Sequence, residues 1–296
     1  MLSTPVTPQL ILRGLEQFLE RVEQLGVRVN PSSRLRQCIR VLRSVERGES
    51  VDRLERVYAH LDSRQFLEIG VQLLDAPSRP LRQKLQILMS DPVVPAAPGV
   101  DSKGRDTQFE LYLASQFAAG GLHVRFEEPD LIIESGPTSV GIAAKRLKSL
   151  ARLRERLVDA GDQLKTHRSA ITHGLIALDV THAANPQGLI AISTACEVTE
   201  PAAADLTRDA ARNASNEMLG WAVPKHERHL LCGCLVMAAG THYLPNGGVV
   251  YSASMQSRHR RTFRAVTNRL ADAAETGFSN STKNLVAWVD RSGRST

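Results

Sequence analysis

The sequence predicts an α/β protein. An N-terminal helical bundle precedes a core of order helix, three strands, helix, strand, built around a mixed central sheet. Three observations predict this. Apolar residues recur at helical spacing through residues 8–90. A stretch with three prolines and two glycines follows at 91–104. Beyond it, short strand-like runs alternate with helices. One of them, Gly174 to Thr181, is apolar almost throughout, as a strand covered on both faces is.

In the first part, Leu12, Leu15, Phe18, Leu19 and Val22 form one stripe with Arg and Glu between them, and Gly26 serves as a C-cap. Asn30-Pro31-Ser32-Ser33 starts a second helix carrying Leu35, Ile39 and Leu42, and Ser50 opens a third through Leu54, Leu61, Phe66 and Leu73. Pro77 and Pro80 bracket a turn before a fourth, at 81–90. Short connections between amphipathic helices make a bundle. The organisation read from this is a helical domain at 1–90, a linker at 91–104 and a second domain at 105–296.

The second part begins with a helix from Asp106, taken as its N-cap, to Ala119, stopped by Gly120-Gly121. Strands follow at 122–126, 130–134 and 140–145, the last two joined as a hairpin through Ser135-Gly136-Pro137. A long basic helix spans 148–168, and the apolar strand 174–181 then returns parallel to its predecessor. A helix near 202–220, strands near 229–239 and 247–255 and a final helix near 258–275 complete the chain.

Composition narrows the partners. The 296 residues carry a net charge of +6, with 30 Arg against 7 Lys. This balance favours an anionic partner; arginine suits bidentate phosphate contacts, though a GC-rich genome gives the same bias. Residues 201–296 hold 12 basic and 7 acidic residues, so this third supplies much of any positive surface. Four cysteines (Cys38, Cys196, Cys232 and Cys234) make no disulfide framework in a chain this long, and Cys232-Gly233-Cys234 reads as strand cysteines in a reducing compartment. No signal peptide or membrane-spanning run is legible, so the expected location is cytoplasmic. His226-Glu227-Arg228-His229 lacks the spacing of a zinc-binding helix and reads as a loop. Two basic runs, Lys145 to Lys148 and Arg258 to Arg264, read as solvated helix faces or phosphate contacts. Asp179, inside the apolar strand, needs a partner or a place at the strand's end.

The chemistry resides in Glu128-Pro129-Asp130-Leu131-Ile132-Ile133-Glu134 and Val140-Gly141-Ile142-Ala143-Ala144-Lys145. Alternation puts Asp130, Ile132 and Glu134 on one face of the first strand. Gly141, Ala143 and Lys145 share one face of the next. Pairing of the two strands brings Asp130, Lys145 and the Ala143 position to one cleft. An acidic oxygen there holds a Mg²⁺ ion that polarises a phosphate, and a lysine beside it orients water and neutralises developing charge.

This pattern resembles the PD-(D/E)xK, or restriction-endonuclease-like, nuclease superfamily over about residues 105–182. Pro129-Asp130 matches the PD element and Lys145 the motif lysine, whereas Ala143 stands where the family has Asp or Glu. The resemblance implies Mg²⁺ (or Mn²⁺) held by Glu110 and Asp130, with the Ala144 carbonyl completing the shell. It implies catalytic roles for Asp130 and Lys145, with Gln163 supporting them. Since family members sometimes move the missing carboxylate, Glu110 and Glu134 both stand as replacements. The function implied is hydrolysis of phosphodiester bonds in nucleic acid, DNA ahead of RNA, in defence, restriction or repair, with two copies pairing to act on two strands. The alternatives are a degenerate nuclease fold that binds nucleic acid or a protein without cutting, and an interaction scaffold centred on the helical bundle.

Overall fold

The computed structural model describes residues 7–75, 77–94, 102–183, 200–217, 231–243, 249–259 and 264–292. Residues 95–101 of the expected linker, Cys196, the His226–His229 segment and residues 260–263 of the second basic run lie outside the described residues.

Helices α1 (Pro8–Gln24), α2 (Arg34–Glu46), α3 (Arg53–Leu73) and α4 (Arg79–Leu88) start where their caps dictate. Thr7, Ser33, Asp52 and Ser78 each accept a backbone N–H of the first turn through a side-chain oxygen. Asp52 rather than Ser50 therefore opens α3. Helix α5 (Lys103–Ala119) begins one turn before the expected site: its N-cap is Ser102, and Asp106 lies in the first turn, where an acid suits the helix dipole.

Strands β1 (His123–Arg125), β2 (Leu131–Ser135), β3 (Thr138–Arg146), β4 (His173–Asp179), β5 (Leu231–Tyr243) and β6 (Val249–His259) form one sheet in sequential order. The β1–β2, β2–β3 and β5–β6 pairs are antiparallel, and β3–β4 and β4–β5 are parallel. Helix α6 (Leu153–Thr166) follows a 3₁₀ turn at Leu150–Arg152, and α7 (Glu200–Glu217) lies between β4 and β5 in the chain. Successive crossovers of one hand, stepping in one direction, leave their helices on one face. Accordingly Ala160 and Leu164 of α6 and Ala211 and Ala214 of α7 share a core with Ile132, Ala143, Ile176 and Val236.

The opposite face, with Ile133, Val140, Ile142, Leu175 and Met237, packs against a core that runs through α5, α8 (Arg264–Ser292) and helices α1–α4. Helix α3 is enclosed on all sides from Tyr58 to Gly70. Helix α8 runs well past the expected end at 275, through Gly277. A Cβ at Gly277 would sit 2.3 Å from the Gln116 carbonyl, so this glycine allows α8 to approach α5 rather than ending the helix.

Cys38 is buried on α2 and Cys234 on the strand β5. Two other expectations are corrected. Arg258 is a strand residue of β6 whose guanidinium donates to Ser215 (2.7 Å) and Asn216 (2.5 Å) of α7. The Lys145–Lys148 run is no solvated helix face: Arg146 lies on β3 with its side chain enclosed, and Leu147 is buried.

Candidate active site

Asp130 immediately precedes β2, and its neighbour across the hairpin lies near the end of β3. Gly141 makes this approach possible: a Cβ there would meet Ile171 at 2.6 Å and the Pro129 ring at 3.1 Å. The Asp130 carboxylate accepts the Ala144 N–H at 2.8 Å through Oδ2, so Ala144 enters the site by its amide. The Lys145 ammonium stands 3.5 Å from the same oxygen.

Gln163, on α6, joins these two groups. Its Nε2 donates to Asp130 Oδ1 at 2.9 Å and to the Pro129 carbonyl, while its Oε1 accepts from Lys145 Nζ at 2.5 Å. The amide thus presents a donor to the carboxylate and an acceptor to the ammonium, fixing both. His167, one helical turn on, lies 3.7 Å from Glu128 and borders the group.

Glu110 approaches from α5, on the stripe shared by Leu113, Ala114 and Phe117. Its Oε2 accepts from the Lys84 ammonium of α4. Side-chain exposure is 14% for Asp130 and 20% for Lys145, and 14% for Glu110 and 24% for Lys84. Burial pushes the Glu110 carboxyl above its ordinary range; Lys84 opposes this and the Asp130 charge adds to it. Burial raises Asp130 as well, with Lys145, the Ala144 amide and Gln163 pulling it back. These cross-influences put Glu110, Asp130, Lys84 and Lys145 within electrostatic reach of one another.

Two sequence expectations fail here. Ala143 is no open vacancy: it is fully buried in the apolar core with Ile132, Ile176 and Leu164, one step in register from the Leu131–Ile142 pair and so across from Asp130. Glu134 cannot replace it. It sits four residues along β2 from Asp130, about 13 Å at the rise of a strand, where Arg125 (3.0 Å) and Ser139 (3.2 Å) engage it. Asp179 belongs elsewhere too. It accepts from Arg146 Nε at 2.7 Å and from the Thr181 N–H at 2.9 Å, and Arg146 reaches on to the Arg105 carbonyl at 2.9 Å. That set ties the ends of β3 and β4 to α5.

Lys84 was invisible to motif reading, which looks along strands. A signal was nonetheless present: Lys84 shares the stripe of Leu81, Leu85 and Leu88, the buried face of α4, where a charged residue needs a reason.

Among the described residues, no three His, Cys, Asp or Glu side chains group as a metal site would. The carboxylates of Glu110 and Asp130 are hard oxygen donors in mutual electrostatic reach. Such a pair suits Mg²⁺, which is commonly held by one or two carboxylates and takes its other ligands from water and substrate phosphates. The chain matches no family model, no curated protein and no solved structure at a significant level.

Proposed function

We propose that the protein is a divalent-cation-dependent phosphodiester hydrolase. More particularly, it is a nuclease of the PD-(D/E)xK type acting on nucleic acid, DNA ahead of RNA. The observation that carries this reading is Gln163 bridging Asp130 and Lys145 in a largely buried cluster of charge beside Glu110. Ionisable groups whose pKa values are shifted by burial and by specific partners concentrate at reactive sites. The order helix, three strands, helix, strand around this group supports the reading, as does the position of Lys145 at the carboxyl end of a strand in a parallel pair.

In this reading Glu110 and Asp130 hold Mg²⁺, which supplies charge stabilisation at the phosphate and a more acidic bound water. Lys145 directs an N–H at the attacking water or at a phosphoryl oxygen, where negative charge grows. Gln163 keeps the ammonium in that place and orients the Asp130 carboxylate. Burial limits bulk water, so each of these interactions acts in a low-dielectric setting.

The test is cleavage of plasmid and single-stranded DNA with Mg²⁺ or Mn²⁺. Lys145→Ala and Asp130→Ala should each reduce the rate by about 10²–10³-fold in protein whose circular dichroism shows it to be folded. Metal-dependent cutting that persists equally in both variants would remove this group of residues from the chemistry.

A second reading, binding without cleavage, is favoured by the apolar burial of Ala143. It expects no cutting by the wild type and salt-sensitive DNA binding that survives Lys145→Ala.

A further inference from the structure

Lys84 comes from the N-terminal helical region, yet its ammonium lies on a carboxylate of the candidate site. We infer that Lys84 is an internal counter-ion that holds Glu110 and competes with a divalent cation for it, giving helix α4 control over metal entry. The inference rests on the reading of Glu110 and Asp130 as a divalent-cation site.

Four observations carry it. First, Lys84 sits on the buried stripe of α4 between Leu81 and Leu85, so the packing of α4 aims its stem at α5. Second, its charge acts on both carboxylates: it lowers Glu110 directly and Asp130 from further away. Third, the charges balance. Glu110 and Asp130 stand against Lys84 and Lys145, so the group is neutral as it stands. A dication entering this half-buried group leaves two surplus positive charges, whose repulsion is only weakly screened by salt there. Withdrawal of Lys84 from Glu110 removes one of them and frees a carboxylate oxygen for the metal.

Fourth, lysine is the residue suited to withdrawal. Its ammonium is a compact, strongly hydrated charge on a flexible four-carbon stem, whereas arginine's planar fork locks a carboxylate bidentately. A chain with 30 Arg and 7 Lys uses lysine at both cationic positions of this group. At 24% exposure the Lys84 side chain already has water beside it, so its head can swing outward while its stem stays packed.

The experiment is Mn²⁺ titration of the full chain by calorimetry, comparing wild type, Lys84→Met, Lys84→Arg and Glu110→Gln. Thermal melting of each variant with and without Mn²⁺ accompanies it. Lys84→Met should bind Mn²⁺ about tenfold more tightly or better, from loss of one nearby positive charge, and its melting temperature should rise more with Mn²⁺ than that of the wild type. Lys84→Arg should bind no more tightly than the wild type. In a Glu110→Gln background, Lys84→Met should raise affinity clearly less than in the wild type, because the contested carboxylate is gone and only the longer-range repulsion is relieved. Lys84→Gln, which keeps length and hydrogen-bonding capacity, carries the same expectation should the Met variant fail to fold.

Equal or weaker Mn²⁺ binding by folded Lys84→Met and Lys84→Gln, beside a wild type that binds, overturns the inference and leaves the cation site standing. Absence of Mn²⁺ binding in every variant overturns both. Tighter binding by Lys84→Met without DNA cleavage sustains the counter-ion role and defeats the hydrolase reading.

Discussion

Two of the groups of charged side chains that meet helix α5 are built from different cations. In one, Asp62 of α3 faces Arg105, which reaches Oδ1 at 3.1 Å and Oδ2 at 3.2 Å, with Gln108 donating at 3.1 Å and Arg34 3.8 Å away. Arg105 also donates to the carbonyls of Pro92 and Val93, and Arg34 to those of Leu88 and Gly104. Side-chain exposure in this group is 0% for Arg34, 1% for Asp62 and 6% for Arg105. In the other group lysines face Glu110 and Asp130, and water reaches each side chain. Rigid forks clamp the enclosed group to backbone carbonyls at many points, whereas point charges on flexible stems serve the accessible one. The contrast separates charge that holds α2, α3, α4 and α5 together from charge left free to exchange partners.

The contrast predicts unequal responses to the loss of an acid. Asp62→Ala strands two enclosed guanidiniums and should cost about 3–5 kcal/mol of folding free energy, read by urea denaturation. A loss below about 1 kcal/mol would mean that the arginines are satisfied by the carbonyls alone. Asp130→Asn should change stability by less than about 1 kcal/mol in either direction. Its amide oxygen can still accept the Ala144 or Gln163 N–H, and the Lys145 ammonium can turn to water. The same variant should lose DNA cleavage. A large stability loss in Asp130→Asn would erase the distinction between the two groups.

How much of this was legible in the sequence follows from how far each interaction reaches along the chain. Strand alternation put Asp130 and Lys145 on one side of a hairpin, and the helix pattern put Gln163 on the element that covers it, because these are short-range relations set by local period. The final helix was expected to stop near 275, whereas α8 runs on through Gly277, whose value lies in its contact with Gln116, more than a hundred residues away in the chain. Ala143 looked like a vacancy in the cleft, since a face assignment does not say where an apolar core ends and a cleft begins. Lys84 and Glu110 are 26 residues apart on different helices, and the Asp62–Arg105 clamp spans 43, so both pairings depend on how α3 and α4 dock on α5. Helix periodicity names the buried stripe but not the partner that stripe will meet.

The smallest predicted effect sharpens the comparison through protons. Burial raises the Glu110 carboxyl, and the neighbouring Asp130 charge adds to the rise, while Lys84 only partly offsets it. A carboxyl whose pKa is higher folded than unfolded binds protons more tightly in the native state. Its contribution to stability is therefore complete below the unfolded value, near 4.5 for Glu, and is lost as pH rises through the folded value. The stability of the wild type relative to Glu110→Gln should accordingly fall as pH rises above 4.5, measured as the difference in urea midpoints from pH 4 to pH 8. A difference that grows with pH would show that the Lys84 ion pair outweighs burial. The protonated carboxyl that suits the fold is also the form that cannot hold a cation, so Mn²⁺ affinity should weaken over the same interval as pH is lowered. Acid thus favours the protonated Glu110 carboxyl, which leaves the group with one surplus positive charge and takes a ligand from the cation.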